Sequence, residues 1–127
     1  MARFGMSFGV GNNDDERIEA FELYKCAFGG KKISESRPPC GGDIHIVIEI
    51  GGVNILLGPP LGEIRTELDD VMVCEMHFYD ESEFQKAYEA LSKKSLSRAL
   101  EGPYPWATKL GIIKDKYGVG WALYFHS

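Results

Sequence analysis

Two stretches of this chain carry the same order of predicted elements: a strand, a helix and then three strands. The first stretch runs from about residue 3 to residue 58, and the second from about residue 71 to residue 126. Alternating apolar residues predict the strands, and apolar residues spaced three and four apart predict the helices. A chain of 127 residues can bury a core without metal or disulfide staples. We therefore expect one α+β domain, residues 1–127, built from two βαβββ modules.

The clearest strand lies in the first module, over residues 43–50, where isoleucine occupies every second position. Successive side chains of a strand point to opposite faces, so the isoleucines share one face and His45 and Glu49 share the other. The glycine pair at positions 51 and 52 then predicts a tight hairpin into a further strand. If the isoleucines pack against the helix of the module, His45 and Glu49 lie on the open face of the sheet.

Both predicted helices begin at capping residues. Asn13 with Glu16 fits a capping box, with a neighbouring aspartate as the alternative cap. In the second module, Ser82 with Gln85 fits the same pattern. The apolar stripes that follow consist of Ile18, Phe21, Tyr24 and Phe28 in the first helix and of Phe84, Ala87, Tyr88 and Leu91 in the second.

Composition and charge exclude several classes of protein. The net charge of −5 provides no basic face, so we expect no nucleic-acid partner. The apolar runs are much shorter than the roughly 20 residues that span a bilayer, so we expect no membrane partner. The three cysteines, Cys26, Cys40 and Cys74, form no CxxC pair and leave an odd count. Reduced thiols and a cytoplasmic location are the expectation.

Short motifs near both ends of the chain resemble one branch of a known superfamily. The segment Glu19-Ala20-Phe21-Glu22-Leu23-Tyr24, followed by Phe28-Gly29-Gly30, resembles a signature of PhnB-like proteins. The closing pattern of that branch is similar to the spacing of Trp106, Gly111, Asp115, Gly118 and Trp121. With the doubled element order, these motifs resemble the vicinal oxygen chelate superfamily, which includes glyoxalase I, extradiol dioxygenases, and fosfomycin and bleomycin resistance proteins.

The resemblance implies that the two modules form a curved mixed sheet around a cleft, with a small-molecule ligand on the concave side. It also implies a homodimer. Metal-dependent members bind a divalent ion through side chains on the first, fourth, fifth and eighth strands. Here those positions fall near Gly5, near Leu57, on Glu75 and on Ala122. Because three of these four side chains cannot bind a metal, no cofactor is assured, and a divalent metal displaced onto Glu75 and His77 is the alternative.

The candidate ligand-binding residues combine strand positions and one loop. Glu75 and His77 lie two residues apart, about 6.6 Å between Cα atoms, and therefore share a face of one strand. Trp106 follows a proline-rich loop, where it either covers a pocket or anchors the loop or a dimer interface. A solvated sheet face is the plainer interpretation of the polar strand positions. The full set of candidates is His45, Glu49, Glu75, His77, Trp106 and Tyr124.

Three hypotheses about function follow. The first is a PhnB-like protein that binds a small, partly flat or anionic metabolite in the cleft, with catalysis left open. The second is a metal-dependent lyase, isomerase or resistance enzyme that uses Glu75 and His77, a pair that without a metal could serve as acid and base. The third is a non-catalytic dimer that sequesters its ligand. The segment from Gly58 to Asp70 is a lid, an exchange hinge or an inert linker.

Overall fold

The structure, a computed structural model, describes residues 2, 4–39, 41–59 and 72–127. The chain divides into two compact units, Met1–Ile64 and Arg65–Ser127, and each is described by itself. The elements of the first unit are β1 (Met6–Gly9), α1 (Asp14–Phe28), β2 (Lys31–Ser36), β3 (His45–Ile50) and β4 (Val53–Gly58). Those of the second unit are β5 (Cys74–Phe78), α2 (Glu81–Ser92), β6 (Ser97–Glu101), β7 (Lys109–Lys114) and β8 (Gly120–Phe125). The α+β class and both βαβββ modules are confirmed.

The first unit forms a four-stranded mixed sheet in the order β1-β4-β3-β2, with β1 parallel to β4 and the other pairs antiparallel. Its core is the face that α1 covers, and it contains the alternate isoleucines of the 43–50 segment, all of which are buried. Gly51 and Gly52 have φ of 55° and 84°, the left-handed pair that a two-residue hairpin requires. His45 and Glu49 therefore lie on the open face, as the alternation predicts.

Helix α1 begins at the predicted cap. The Asn13 side chain accepts the backbone N–H of Glu16 at 2.9 Å, and the Glu16 carboxylate accepts the N–H of Asn12 at 2.6 Å. The predicted buried stripe is wrong at Ile18, which is 41% exposed. The buried face passes instead through Arg17, Ala20, Phe21, Tyr24 and Ala27.

A fully buried arginine explains that shift of the helix face. The Arg17 guanidinium donates to the carbonyl oxygens of Val10 at 3.1 Å and Gly11 at 2.9 Å. It also donates to the Asp43 carboxylate at 3.3 Å. A buried charge is tolerated where its donors are satisfied. Arg17 therefore takes the place on the buried face that the predicted stripe gives to Ile18.

The second unit repeats the first in the order β5-β8-β7-β6, with β5 parallel to β8. Trp121, Leu123 and Phe125 of β8 are buried on the side that α2 covers. Cys74 lies opposite Trp121 and is half-buried. Burial, with a smaller contribution from the Asp115 carboxylate, raises the pKa of the Cys74 thiol.

The cap of α2 differs from the prediction of Ser82 with Gln85. Asp80 is the N-cap, and its Oδ1 accepts the backbone N–H groups of Ser82 at 2.8 Å and Glu83 at 3.2 Å. It also accepts the Ser82 hydroxyl at 2.5 Å. These hydrogen bonds lower the pKa of the Asp80 carboxyl. Aspartate and serine are both preferred caps, and the helix begins at the first of them.

Some predictions fall on residues that the structure does not describe. They concern the beginning of the first strand at Arg3, the expected reduced thiol of Cys40, the beginning of the fifth strand at Val71, and residues 60–70 of the proposed linker. These remain predictions. Neither helix in the described part of the chain is long and apolar enough to cross a membrane.

Candidate ligand-binding site

The face of the second sheet opposite α2 brings several predicted site residues together. The strand register aligns His77, Tyr124, Leu110 and Glu101 in one row across the sheet. The next row contains Glu75, Ala122, Ile112 and Ala99. We call these eight residues the open face of the second sheet.

Glu75 and His77 contact each other on β5, and a second histidine joins them. The His77 Nε2 atom lies 3.3 Å from Glu75 Oε1, and His77 Nδ1 lies 2.9 Å from His126 Nε2. Both nitrogens of the His77 ring are therefore engaged. The side chains of His77 and Glu75 are 43% and 56% exposed, so the group remains accessible from solvent.

Four rings with roughly parallel planes lie beside this group, those of Tyr79, His126, His77 and Tyr124, which we call the aromatic ladder. The His126 and His77 rings meet edge to edge through their nitrogens, so Tyr79 and Tyr124 supply the face-to-face stacking. The ring centroids of Tyr79 and His126 are 5.1 Å apart, and those of His126 and His77 are 5.2 Å apart. His77 and Tyr124 follow at 4.8 Å, with 14° between the ring planes. A ladder of nearly parallel rings presents both π-faces and polar edges to a flat molecule.

The backbone after β8 places the second histidine. The His126 N–H donates to the carbonyl of Phe78 at 2.9 Å, which continues the pairing of β8 with β5. Our candidate set omitted His126 and Tyr79, which lie just beyond the ends of the observed strands β8 and β5. The two-residue alternation from Tyr124 to His126 was the sequence signal for the first of them.

An apolar floor lies beside the ladder. Ala122 is buried, Ile112 is 42% exposed, and Leu110 is half-buried. Strands lie about 4.8 Å apart, so the three spacings from β5 to β6 give this surface a width of about 14 Å. The floor is bounded by His77 on β5 and by Glu101 on β6, so it is apolar in the middle and polar at both sides.

The loop after β6 contains a second pair of rings. Tyr104 and Trp106 stack with centroids 4.9 Å apart and 5° between their planes, and Trp106 is 59% exposed. The Tyr104 hydroxyl donates to Glu101 at 2.9 Å, and this hydrogen bond raises the pKa of Tyr104. The contact partner of Trp106 is thus Tyr104, in a pair connected to the open face through Glu101.

His45 and Glu49 lie in the first unit. The His45 Nδ1 atom is 3.0 Å from the backbone carbonyl of Asp43, and Glu49 is exposed opposite Asn54 and Lys31. Four residues of extended strand separate His45 from Glu49, about 13 Å, so the two side chains do not form one compact site.

The side chains present do not fit a metal ion in this arrangement. Leu57, at the predicted fourth-strand ligand position, is fully buried on the helix side of its sheet. Glu75 and the two imidazoles point their donor atoms at one another. Across residues 2, 4–39, 41–59 and 72–127, no group of three or more His, Cys, Asp or Glu side chains is arranged to hold a metal ion.

Solved structures share this fold. A glyoxylase/bleomycin resistance protein/dioxygenase domain from Frankia sp. EAN1pec is 15% identical, with a TM-score of 0.66, over 100% of this chain and 98% of its own. A PhnB protein from Bacillus cereus is 21% identical, with a TM-score of 0.74, over 98% of this chain and 100% of its own. The resemblance that the motifs carry is therefore confirmed at the level of the fold.

Another solved structure of similar fold contains bound ligands. A variant of the fosfomycin resistance protein FosX from Listeria monocytogenes, complexed with Mn(II) and 1S,2S-dihydroxypropylphosphonic acid, is 11% identical to this chain. Its TM-score is 0.65, over 97% of this chain and 88% of its own. No protein-family model and no curated protein matches the chain.

Proposed function

We propose that this protein is a PhnB-like member of the vicinal oxygen chelate superfamily that binds a small, flat metabolite on the open face of the second sheet. The observation that carries the proposal is the aromatic ladder beside the apolar floor. Rings stacked in an offset or parallel manner contribute about 0.5–1.5 kcal/mol per pair beyond area burial. The small-molecule complex of FosX supports the use of this fold for ligands of that size.

The binding that we propose does not use a resident metal. Glu75 and the two imidazoles, which would be its donors, are engaged with one another at 2.9 and 3.3 Å. A ligand would meet ring faces, the apolar floor and the outer edge of this group. These contacts favour flat molecules with one or two polar substituents over strong chelators.

We also propose a cytoplasmic homodimer. Cys26 and Cys74 are free thiols, which supports a reducing compartment. Large apolar side chains stay exposed in both units, Phe4 and Leu96 among them, which supports burial against a second copy. Light scattering of the purified protein should give about twice 14.2 kDa; a mass of one chain would exclude the dimer.

Calorimetric titration with a matched set of small probes tests the proposed binding. Benzamide is flat and neutral, benzoate and benzamidine add a charge, and cyclohexanecarboxamide keeps the amide but loses the flat ring. We expect benzamide to bind roughly threefold to tenfold more tightly than cyclohexanecarboxamide, as one or two stacking contacts would give. Comparing benzoate with benzamidine shows whether the site prefers a negatively or a positively charged ligand.

Two histidine variants show which sheet is responsible for the preference for the flat probe. His77→Ala interrupts the ladder, whereas His45→Ala removes a comparable half-exposed histidine from the open face of the first sheet. The preference for the flat probe should disappear in His77→Ala and persist in His45→Ala. Equal binding of flat and non-flat probes by the unaltered protein, or loss of the preference in His45→Ala alone, would refute the proposed site.

A further inference from the structure

We propose that Glu75, His77 and His126 form a proton relay that ends at His126 Nδ1, and that the ligand is a flat ring with a weakly acidic hydroxyl, a phenol or an enol. The inference deepens the proposed function and rests on it for the binding of that ring. It begins from the two contacts at the centre of the group, Glu75 to His77 at 3.3 Å and His77 to His126 at 2.9 Å.

The direction of the relay follows from counting hydrogens. An ionised carboxylate only accepts hydrogen bonds, so the hydrogen between Glu75 and His77 belongs to His77 Nε2. A neutral imidazole carries one N–H, so His77 Nδ1 is an acceptor. The hydrogen between the two rings must therefore belong to His126 Nε2, which leaves His126 Nδ1 without a proton and able to accept one.

The proton transfer balances without any further reactant. The O–H bond of the ligand breaks, and its proton moves to His126 Nδ1. The proton on His126 Nε2 moves across the 2.9 Å contact to His77 Nδ1. The ligand keeps the electron pair as a phenolate or enolate, and the positive charge rests on His77 beside the Glu75 carboxylate. His126 is the catalytic residue, and His77 and Glu75 are positioning residues, as in a nucleophile–base–carboxylate triad.

The neighbouring rings hold this geometry. Tyr79 stacks on one face of His126, and Tyr124 stacks on one face of His77, so each imidazole plane is held by one aromatic partner. The carboxylate that contacts His77 is Glu75. Glu101, on the other side of the floor, accepts the hydroxyl of Tyr104 instead. The relay therefore has the Glu75 carboxylate at one end and the unprotonated His126 Nδ1 atom, its basic end, at the other.

The basic end determines the class of ligand. An unprotonated ring nitrogen at the edge of a stacking surface favours a ligand that donates a hydrogen bond in the plane of its own ring. A hydroxyl on a flat ring meets that condition. The pKa of such a hydroxyl is much closer to that of an imidazole than the pKa of an aliphatic alcohol is, so its proton transfers without concerted bond formation.

Nitrogen-15 NMR of the histidine side chains tests the relay without any ligand. At an alkaline pH where both imidazoles are neutral, we expect His77 and His126 to be Nε2–H tautomers. Glu75→Gln should weaken the preference at His77, because a carboxamide both donates and accepts. A His126 that carries its proton on Nδ1 would overturn the relay.

Para-nitrophenol and para-nitroanisole test the substrate class. They share a flat nitro-substituted ring, but only the phenol has a proton to give. At a mildly acidic pH where free nitrophenol is colourless, we expect the bound phenol to show the yellow absorption of nitrophenolate. His126→Phe keeps a ring in the ladder and removes both nitrogens, so the absorption should be lost while nitroanisole still binds.

The outcomes separate the relay from the binding function. If neither compound binds, the proposed flat-ligand function fails, and with it the substrate class, while the tautomer measurement still decides the relay. If both compounds bind and the phenol stays colourless, or if it turns yellow equally in His126→Phe, binding stands and the relay is overturned. The role of the His126 nitrogens in deprotonation is thus tested separately from the role of its ring in binding.

Discussion

At the scale of single residues, Arg17 and Asp115 are charged and fully buried, and each satisfies its charge with several hydrogen bonds. The Asp115 Oδ1 atom accepts the backbone N–H groups of Tyr117 at 2.9 Å and Val119 at 3.1 Å, and its Oδ2 accepts the Trp121 indole at 3.0 Å. The carboxylate thereby connects the β7–β8 turn to the core under α2. It stands at the aspartate of the closing pattern in which the sequence resembles PhnB-like proteins.

Replacing that carboxylate by an amide tests its structural role. Asp115→Asn keeps the size of the side chain but turns one acceptor oxygen into a donor, which leaves a buried N–H without its partner. We expect the free energy of unfolding to fall by about 1–3 kcal/mol, measured by urea denaturation. Glu22→Gln, an exposed acid-to-amide change on α1, is the matched control and should change it by less than about 0.5 kcal/mol. An equal effect of the two variants would contradict this role.

The contacts of the Asp14 carboxyl predict that the free energy of unfolding depends on pH in the acidic range. It accepts the backbone N–H of Ile44 at 2.9 Å and lies 2.6 Å from the Arg37 guanidinium, which lowers its pKa below the ordinary 3.8. A carboxyl with a lower pKa in the folded state stabilises the fold above its unfolded pKa, and this contribution is lost as the pH falls through the folded pKa.

Denaturation at a series of acidic pH values checks this sign. We expect the stability of the unaltered protein to fall more steeply below about pH 4 than that of Asp14→Asn, because the variant has no carboxyl to protonate. Asp15→Asn, the same change one residue along α1, should keep the steep decline. Parallel curves for the unaltered protein and Asp14→Asn would show that the Ile44 and Arg37 contacts do not act through ionisation.

At the scale of elements, β7 approaches α2 at a glycine. A Cβ on Gly111 would lie 2.8 Å from the ring of Tyr88, which is too close for ordinary packing. Gly111→Ala should therefore lower the free energy of unfolding by about 1–3 kcal/mol through overpacking. Thermal denaturation measures the loss. At Gly5 the nearest atom to an added Cβ is 3.6 Å away, so Gly5→Ala should be close to neutral, and equal shifts in melting temperature would contradict the packing argument.

Most of the elements could be predicted from the sequence, because their residues alternate or repeat with the period of the structure that they form. The isoleucines of β3 are the clearest case. Ile18 was misplaced because the periodicity of apolar residues does not anticipate a buried, hydrogen-bonded Arg17. The cap of α2 was misplaced because Asp80 and Ser82 are both capping residues.

The site was predictable only in part, and for a similar reason. Glu75 and His77 follow from a spacing of two residues on one strand. The contact between His77 and His126 joins residues 49 apart, and it depends on the parallel register that sets His77 opposite Tyr124. No local pattern specifies that register, because it is fixed by how β5 and β8 pack on α2.

At the scale of the whole molecule, two units of the same topology have different open faces. The first carries His45 and Glu49 about 13 Å apart along one strand, whereas the second carries the aromatic ladder with Glu75 attached. The same fold supports many activities, so the likeness to PhnB and FosX structures does not by itself assign one. The difference between the two open faces leads us to expect binding in the second unit.

An NMR map of the complete, isotope-labelled chain titrated with benzamide tests that claim most directly. We predict that the amide and side-chain signals of β5 and β8 shift, together with those of His77 and His126. The signals of β3 around His45 should shift far less. Shifts centred on β3, or no shifts in the second unit at saturating benzamide, would contradict the account.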